Sequence, residues 1–464
     1  MATEQFDAIV IGSGQGGNPL AEALAAAGRK TALIERKHLG GTCINDGCTP
    51  TKTMVASARV AYLAGRGSEY GVGLPGEARP QVQMSVVRQR KRAIVDEFRG
   101  SKEKRLGSAK NLEVIWGEAS FSAPSTIEVR LRDGGTRNIS AEQIFINTGT
   151  RPAVPKIEGL DKVSFLDNVS VMELDAVPAH LMILGGGYIG VEFAQMFRRF
   201  GAQVSIVHAG AHLLNQEDED IAEEVQKIFA EDGITVHVDS KATRVSQTAD
   251  GVALTFSKGS GEETIRGSHL LVAVGRTPNT SELNLPAAEI DVDERGFIRA
   301  NERLETSAAG VFVIGDVKGG PAFTHISYDD FRILRANLLE GKNATTAGRM
   351  VPYTVFMDPE LGRIGVTETE ARRDGSKVRI ARMPMTSVAR ALETDETRGV
   401  MKVVIDADGE RILGAAILGI EGGEIASMLQ LAMMGGLSVS TLRDGVFSHP
   451  TLAESLNNLF LKIE

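Results

Sequence analysis

Cysteine is nearly absent from this chain. Cys43 and Cys48 are its only two among 464 residues, and they stand five positions apart, which excludes the disulfide framework of a small secreted domain. Long apolar runs are missing as well. The most apolar stretch, residues 181–197, contains Glu192, Gln195 and three successive glycines, which a bilayer span of about 20 apolar residues does not tolerate. An excess of positive charge is also lacking: 51 Lys and Arg against 60 Asp and Glu leave a net charge of −9, so there is no electrostatic footprint for DNA or RNA. The N-terminal MATEQFDAIVIG has no basic segment ahead of its apolar residues and runs directly into a strand, so a soluble, cytoplasmic protein is expected.

Glycine, by contrast, is abundant, with 51 residues, about 11% against a usual ~7%, and the excess gathers in short loops after apolar runs. Strand 7–11 leads into Gly12-Ser-Gly14-Gln-Gly-Gly17 and an alanine-rich helix at 20–27. A second strand, 30–34, then ends at Glu35. Strand, tight turn, helix and an acid about 20 residues on is the pattern of a dinucleotide site. Gly12 permits the turn, Gly14 lets the backbone approach a pyrophosphate, and Gly17 lets the helix pack closely on its strand, while the helix start supplies amides and dipole for the phosphates. The pattern recurs about 170 residues later: strand 181–184, Gly185-Gly-Gly187-Tyr188-Ile-Gly190, a helix to about Phe200 and strand 203–207. One such turn is weak evidence; two in full context imply two dinucleotides.

Two further strands end alike, 143–146 before Thr148-Gly149-Thr-Arg-Pro152 and 269–274 before Gly275-Arg276-Thr-Pro278, and a third apolar run, 310–314, ends in Gly315-Asp316. The expected fold is α/β, with two Rossmann-like dinucleotide-binding domains, one inserted in the other, and a C-terminal α+β dimerisation domain. The expected bounds are 1–150 with 276–345 for the first domain, 151–275 for the second and 346–464 for the third. Two charge runs, the basic 88–105 and the acidic 217–224, read as solvated helix faces.

The two cysteines lie in Gly40-Gly41-Thr42-Cys43-Ile-Asn-Asp46-Gly-Cys48-Thr-Pro50-Thr-Lys52, just after the first acid. Five residues can close a small disulfide loop. Pro50 suits a helix's first turn, placing Cys48 at the positive helix end, where a thiol becomes a reactive thiolate. The pair therefore reads as redox-active. The alternative is two buried, inert thiols; a structural zinc site lacks its four ligands, and no metal site is expected in the chain itself.

Together with His449-Pro-Thr-Leu-Ala-Glu454, these motifs resemble the class I pyridine nucleotide-disulfide oxidoreductases, FAD flavoenzymes that include glutathione reductase, dihydrolipoyl dehydrogenase and mercuric reductase. The resemblance covers essentially the whole chain. Around Ala322-Phe-Thr324-His325-Ile-Ser-Tyr-Asp-Asp330 it is nearest to the mercuric-reductase-like, reactive-chlorine-resistance branch. It implies FAD on the first turn, with Glu35 at its ribose, Asp316 at its ribityl chain, and Gly41, Thr42, Ala119, Thr148, Gly149, Gly315, Thr324 and His325 around it. It implies NAD(P)H at Gly185, Gly187, Gly190, His208, Gly275 and Arg276. Cys48 becomes the thiol against the flavin and Cys43 the outer thiol that meets substrate. Lys52 pairs with Glu192 near flavin N5, and Tyr188 gates the nicotinamide. His449 and Glu454, supplied across a homodimer interface, act as base and acid.

The implied reaction passes electrons from NADPH through FAD and the Cys43–Cys48 pair to a disulfide or metal-ion acceptor. NADPH is preferred to NADH because His208, with His212 nearby, stands where NAD users place an acid. Asp46 departs from the apolar residue usual between the cysteines. A C-terminal cysteine pair, present in well-characterised mercuric reductases, is missing. Dihydrolipoyl dehydrogenase or another small-disulfide reductase is the alternative enzyme; a flavoprotein redox sensor or metal-binding module is the alternative without catalysis.

Overall fold

Residues 8–11 are four apolar residues in a row, the composition of a strand covered on both faces. In the computed structural model, which describes residues 3–73, 81–407 and 410–464, strand Ala8–Ile11 is buried throughout. Met1 and Ala2 of the N-terminal segment lie outside the described residues. Strands Leu112–Ala123, Thr31–Glu35, Ala8–Ile11, Gln143–Ile146 and Val311–Val313 lie side by side in that order, all parallel. Successive side chains point to opposite faces. Ile9, Ile11, Ile34 and Ile144 enter one apolar cluster, while Ala8, Val10, Leu33 and Phe145 enter another with Leu20 and Leu24 of helix Gly17–Ala26. This sheet belongs to a first compact unit formed by Met1–Thr53, Gln89–Ala153 and Gly275–Arg349.

A second unit comprises Met54–Arg88, Val154–Val274 and Met350–Glu464. It repeats the parallel theme in a sheet ordered Thr235–His237, Gln203–Val207, His180–Leu184, His269–Val272. A three-stranded antiparallel sheet, 241–267, accompanies it. The C-terminal part is a five-stranded antiparallel sheet ordered Tyr353–Val355, Glu360–Gly365, Ile412–Gly419, Val400–Asp406, Val378–Pro384, with helix Gly422–Met434 against it. The fold is thus mixed α/β, with Rossmann-like parallel sheets and a C-terminal α+β part. Among the described residues no helix is long and apolar enough to cross a membrane.

Helix Tyr188–Phe200 shows why the stretch at 181–197 is so apolar. Its residues 190–197 are all buried, because Val191, Phe193 and Phe197 share one cluster with Leu181, Ile183 and Val204 and with Met357, Leu361 and Leu418 of the C-terminal part. A helix covered on all sides has no polar face to show. Gln195 and Glu192 satisfy backbone there: Asp358 N–H donates to Gln195 Oε1 at 2.6 Å, and Phe356 N–H to Glu192 Oε1 at 2.9 Å.

The acidic run is not a solvated face. The Glu217 side chain is buried, receives the Tyr353 hydroxyl and faces Arg363 Nε at 3.3 Å. Asp218 Oδ2 accepts Glu368 N–H at 3.0 Å, its Oδ1 accepts the Thr369 amide at 3.0 Å and hydroxyl at 2.7 Å, and the buried Lys402 ammonium lies 3.1 Å away. Lys402 also reaches Asp220 at 3.0 Å. The run therefore docks onto the C-terminal sheet; only Glu219, Glu223 and Glu224 are left for the helix's outer side.

Burial alone pushes the Asp218 carboxyl up, but the Thr369 hydroxyl, the two amides and Lys402 outweigh it and hold its pKa at about 2, below the ordinary 3.8. A lowered folded-state pKa contributes stability above the ordinary value and loses it as pH falls through the lowered one. Asp218→Asn, whose amide would meet backbone N–H groups, is expected to cost about 2 kcal/mol at neutral pH. In urea titrations that cost should shrink as pH falls from about 4 toward 2; a cost that stays flat over this interval would contradict the account.

Candidate active site: two thiols beside a dinucleotide turn

The first glycine turn is built on backbone proximity. Gly12 has φ +99°, and a Cβ there would sit 2.4 Å from Asn147 O; at Gly17 it would sit 2.3 Å from Gly12 O. Asn147 closes the turn by donating from Nδ2 to Gly12 O at 3.1 Å. Glu35, ending its strand, accepts from Ser13 N–H at 3.1 Å and Ser13 Oγ–H at 2.6 Å. Asn18, in the helix's first turn, is 1% exposed, and neither of its amide atoms has a hydrogen-bond partner among the described residues. A Cβ-free cradle, a strand-end carboxylate and an unsatisfied amide at a helix start fit a dinucleotide phosphate and ribose, so these residues suit FAD.

The thiol segment rests directly on this turn. Gly41 has φ +63°, and a Cβ on it would be 2.6 Å from Gly14 Cα; Gly40 N–H donates to Ser13 O at 3.1 Å. Cys43 sits in the short helix Gly41–Asn45, after Thr42, and helix Cys48–Gly65 begins at Cys48, with Pro50 in its first turn and Lys52 opening its second. Cys43 is half-buried and Cys48 exposed. The Cys43 thiol is pushed far up by its hydrogen bond to Cys48, then by burial and by the charge of Cys48; Thr324 and Lys52 oppose the rise. Thr324 Oγ1 also lies 3.3 Å from Cys48 Sγ. The two thiols thus form one hydrogen-bonded pair in which the proton is held on Cys43.

Desolvation of the half-buried Asp316 raises its carboxyl against the opposing Arg276 charge and the hydrogen bond from Thr150. Arg276 donates to Thr150 Oγ1 at 2.6 Å and to Thr150 O at 2.9 Å, so within the first unit it braces the strand end next to Asp316. Gly315 has φ +72°, and its N–H donates to Asp330 Oδ2 at 2.8 Å. Asp330 is fully buried between Lys318 at 3.0 Å and Arg349 at 2.7 Å, so its charge is neutralised where it fixes the turn. Thr148 and Asn279 exchange hydrogen bonds at 2.9 Å. A side chain at Gly149 or Gly275 would meet open space. Thr324 and His325 open helix Thr324–Glu340, where the His325 ring stacks on Phe323 at 5.4 Å. Ala119 is buried in strand Leu112–Ala123.

In the second unit, Gly185 has φ +115°, and a Cβ on Gly190 would lie 2.0 Å from Gly185 O; Gly187 borders open space. Tyr188, 38% exposed, and buried Glu192 stand on the first turns of the following helix. His208 directly follows strand Gln203–Val207. Its Nδ1 accepts Gly186 N–H at 3.1 Å, which puts the ring proton on Nε2, 3.2 Å from Asn215 Oδ1. The ring thus links the glycine turn, through Nδ1, to Asn215, through Nε2. His212 lies 3.5 Å from Glu219. His449 Nδ1 meets Glu454 Oε2 at 2.8 Å and Oε1 at 3.0 Å, leaving the exposed ring's Nε2 outward. Among the described residues, no group of three or more His, Cys, Asp and Glu side chains is arranged to hold a metal ion.

Sequence reasoning missed Ser13, Asn147 and Asp330. Position is the only signal for them: Ser13 lies inside the glycine turn, Asn147 directly after a buried strand, and Asp330 on the inner side of an acidic pair.

The profile described as "Pyridine nucleotide-disulphide oxidoreductase" matches residues 6–330, and that of its dimerisation domain matches 351–460. The chain is 39% identical, over 98% of its length and 99% of the relative's, to "Probable pyridine nucleotide-disulfide oxidoreductase RclA" of Escherichia coli K12. It is 32% identical to mercuric reductase of Streptomyces lividans and 34% identical to dihydrolipoyl dehydrogenase of Haloferax volcanii, in each case over 97% of this chain and 94% of the relative. A solved structure titled "Cu(II) complex of HOCl-induced flavoprotein disulfide reductase RclA from Escherichia coli" superposes with a TM-score of 0.89 at 37% identity, covering 99% of both chains.

Proposed function

Because this chain belongs to the pyridine nucleotide-disulfide oxidoreductases, flavoenzymes that use FAD and NAD(P)H, we propose that it carries electrons from NADPH to a disulfide or a redox-active metal ion through Cys43 and Cys48. One observation carries this reading: the two thiols share a hydrogen bond on a segment whose Gly41 is packed against Gly14 of the dinucleotide turn. FAD, held at the Gly12–Gly17 turn and Glu35, would supply the two-electron chemistry between nicotinamide and the cysteine disulfide.

The chain's own residues do the rest. Lys52 and Glu192 serve flavin N5, where the lysine supplies a cation, and Tyr188 gates the nicotinamide. The Cys43 thiolate attacks one sulfur of an acceptor disulfide, forming a mixed disulfide and releasing one thiolate. Cys48 then attacks Cys43, reforming the internal disulfide and releasing the second. His449, held by Glu454, takes the Cys43 proton and returns it to the leaving thiolate. The sum is NADPH + H+ + RSSR → NADP+ + 2 RSH. With a metal acceptor, two one-electron reductions, such as Cu(II) to Cu(I), consume the same electron pair. The mercuric reductase and Cu(II)-complexed relatives support a metal acceptor.

NADPH is the preferred donor, since strand Gln203–Val207 is followed by His208 rather than an acid that would repel a 2′-phosphate. Each subunit of a homodimer lends its His449 and Glu454 to the other. Met428, Leu431 and Met434 form an outward apolar row, 43%, 67% and 65% exposed, on helix Gly422–Met434 of the dimerisation domain. A reduced thiol pair suits a cytoplasmic location.

The test is steady-state turnover with NADPH and with NADH against Cu(II), Hg(II), glutathione disulfide, lipoamide and a quinone. NADPH-driven turnover of a metal ion or disulfide is the expected result. Turnover of quinone alone would overturn the thiol route, and preference for NADH with lipoamide would reassign the substrate.

A further inference from the structure

Cys48 and Thr324, both in the first compact unit, open helices Cys48–Gly65 and Thr324–Glu340. Although 276 positions separate the two residues, Cys48 Sγ and Thr324 Oγ1 lie 3.3 Å apart. Thr324 does not cap its helix: the N-cap is Phe323, and no side chain makes a capping bond there. Among the described residues, the hydrogen bonds of the Thr324 hydroxyl go to the thiols alone.

The segments around this contact are held from several sides. Asn45 Nδ2 donates to Leu39 O at 3.1 Å and to Gly41 O at 2.9 Å, and Arg99 Nε donates to Asn45 Oδ1 at 2.8 Å, which fixes the short helix that carries Cys43. Helix Met84–Gly107, with the basic run, is therefore not solvated all round: Arg99 turns inward and Lys91 is 4% exposed. Thr51 N–H and Oγ1–H both donate to Gly47 O, at 3.0 Å and 2.7 Å, and close the turn that begins at Cys48. On the opposite side the Phe323 and His325 rings stack at 5.4 Å, with Thr324 between them in the chain. With the heavy atoms held, the hydroxyl proton can still turn about a single bond.

The Cys43 thiol donates its proton to Cys48, so Cys48 Sγ is already an acceptor. A thiol is a weak donor and a hydroxyl a good one, so Thr324 Oγ1–H points to the same sulfur. Two donors and the start of a helix suit a sulfur that has no proton of its own. Resting on the relay role proposed for the two cysteines, we infer that Thr324 is a further catalytic residue: its hydroxyl, 3.3 Å from Cys48 Sγ, determines that Cys48 rather than Cys43 holds the negative charge of the reduced pair. The S–S bond breaks as two electrons arrive from NADPH and one proton arrives from His449. The proton ends on Cys43, the charge on Cys48, and Thr324 keeps its own proton. The titratable side chains nearest in the chain to Cys48 and Thr324 are Cys43, Asp46, Lys52 and His325. They are the same in every variant below, so a difference between variants isolates the hydroxyl.

The experiment uses the full-length, FAD-loaded protein with Thr324→Val, which replaces the hydroxyl by a methyl group, or Thr324→Ser, which keeps it. In the anaerobic, two-electron-reduced enzyme the long-wavelength thiolate-to-flavin band is followed against pH. Thr324→Val loses a hydrogen bond to a charged acceptor, so its midpoint should rise by about one pH unit or more, with Thr324→Ser within about 0.3 units of wild type. A midpoint unmoved in Thr324→Val overturns the inference. So does a midpoint that moves as far in Thr324→Ser, because shape rather than the hydroxyl would then be at work.

A second measurement needs no contact between sulfur and flavin. Each protein is equilibrated with reduced and oxidised dithiothreitol, quenched in acid and alkylated, and the state of the Cys43–Cys48 pair is read by peptide mass spectrometry. A charge held on one sulfur stabilises the reduced pair at pH above its midpoint. At neutral pH the equilibrium constant for reduction should therefore fall about ten-fold in Thr324→Val and less than about two-fold in Thr324→Ser. Equal constants in all three proteins overturn the inference. If wild-type protein shows no band at any pH, the thiol–flavin contact and the function built on it fail, while the dithiothreitol equilibrium still decides Thr324.

Discussion

Cys48→Ser is expected to leave NADPH bleaching of the flavin intact and to lower turnover with disulfides by roughly three orders of magnitude. Its position explains the size of the effect. Cys48 opens a long helix, faces Thr324 Oγ1 at 3.3 Å, and is the partner that keeps Cys43 protonated. A serine hydroxyl at this site cannot take up or release an electron pair. Cys43→Ser should lose acceptor turnover to a similar extent for a different reason, since the inner thiol remains but nothing meets the acceptor. Anaerobic absorbance separates the two. A long-wavelength thiolate-to-flavin band should persist in Cys43→Ser and vanish in Cys48→Ser. The reverse assignment of the band would exchange the roles of the two thiols, and undiminished disulfide turnover in Cys48→Ser would reject the relay.

Gly17→Ala is expected to have the largest effect on folding. Its Cβ would lie 2.3 Å from Gly12 O and 2.6 Å from Asn147 Nδ2, against backbone and against the amide that holds the turn. Neither can withdraw without opening the cradle, so a loss of about 3 kcal/mol or more and a protein purified with little flavin are expected. Gly28→Ala is the contrast. Gly28 has φ +87° but nothing within 4 Å of its added Cβ, so its cost is backbone strain alone, about 1 kcal/mol, with normal flavin content. The visible-to-ultraviolet absorbance ratio and thermal melts check both. Equal behaviour of the two variants would mean that close packing is not what this turn requires.

Both glycine turns and their flanking strands are legible in the sequence because their causes are local: apolar runs, glycine spacing and a helix start fall within about 20 residues of one another. The closures of the turns are not. Asn147 reaches Gly12 across 135 positions, and the reason for a buried Asp330 is shared among Gly315, Lys318 and Arg349. The acidic run at 217–224 reads as a solvated face because such a face and one docked on buried Lys402 and Arg363 look alike until the distant cations are placed. The strand end before His208 is legible in the sequence, but the residue's hydrogen bond from Gly186 depends on a ring orientation that spacing does not encode.

The lock between residues 217–220 and the C-terminal sheet bears on how donor binding can be measured. A fragment of residues 154–274, cut to isolate nicotinamide recognition, would retain its own parallel strands but carry Glu217 and Asp218 into solvent without Arg363 and Lys402, and would bare the apolar outer side of helix Tyr188–Phe200. Self-association of such a truncation is to be expected, and exchanging this segment between relatives calls for transplanting residues 350–464 together with it.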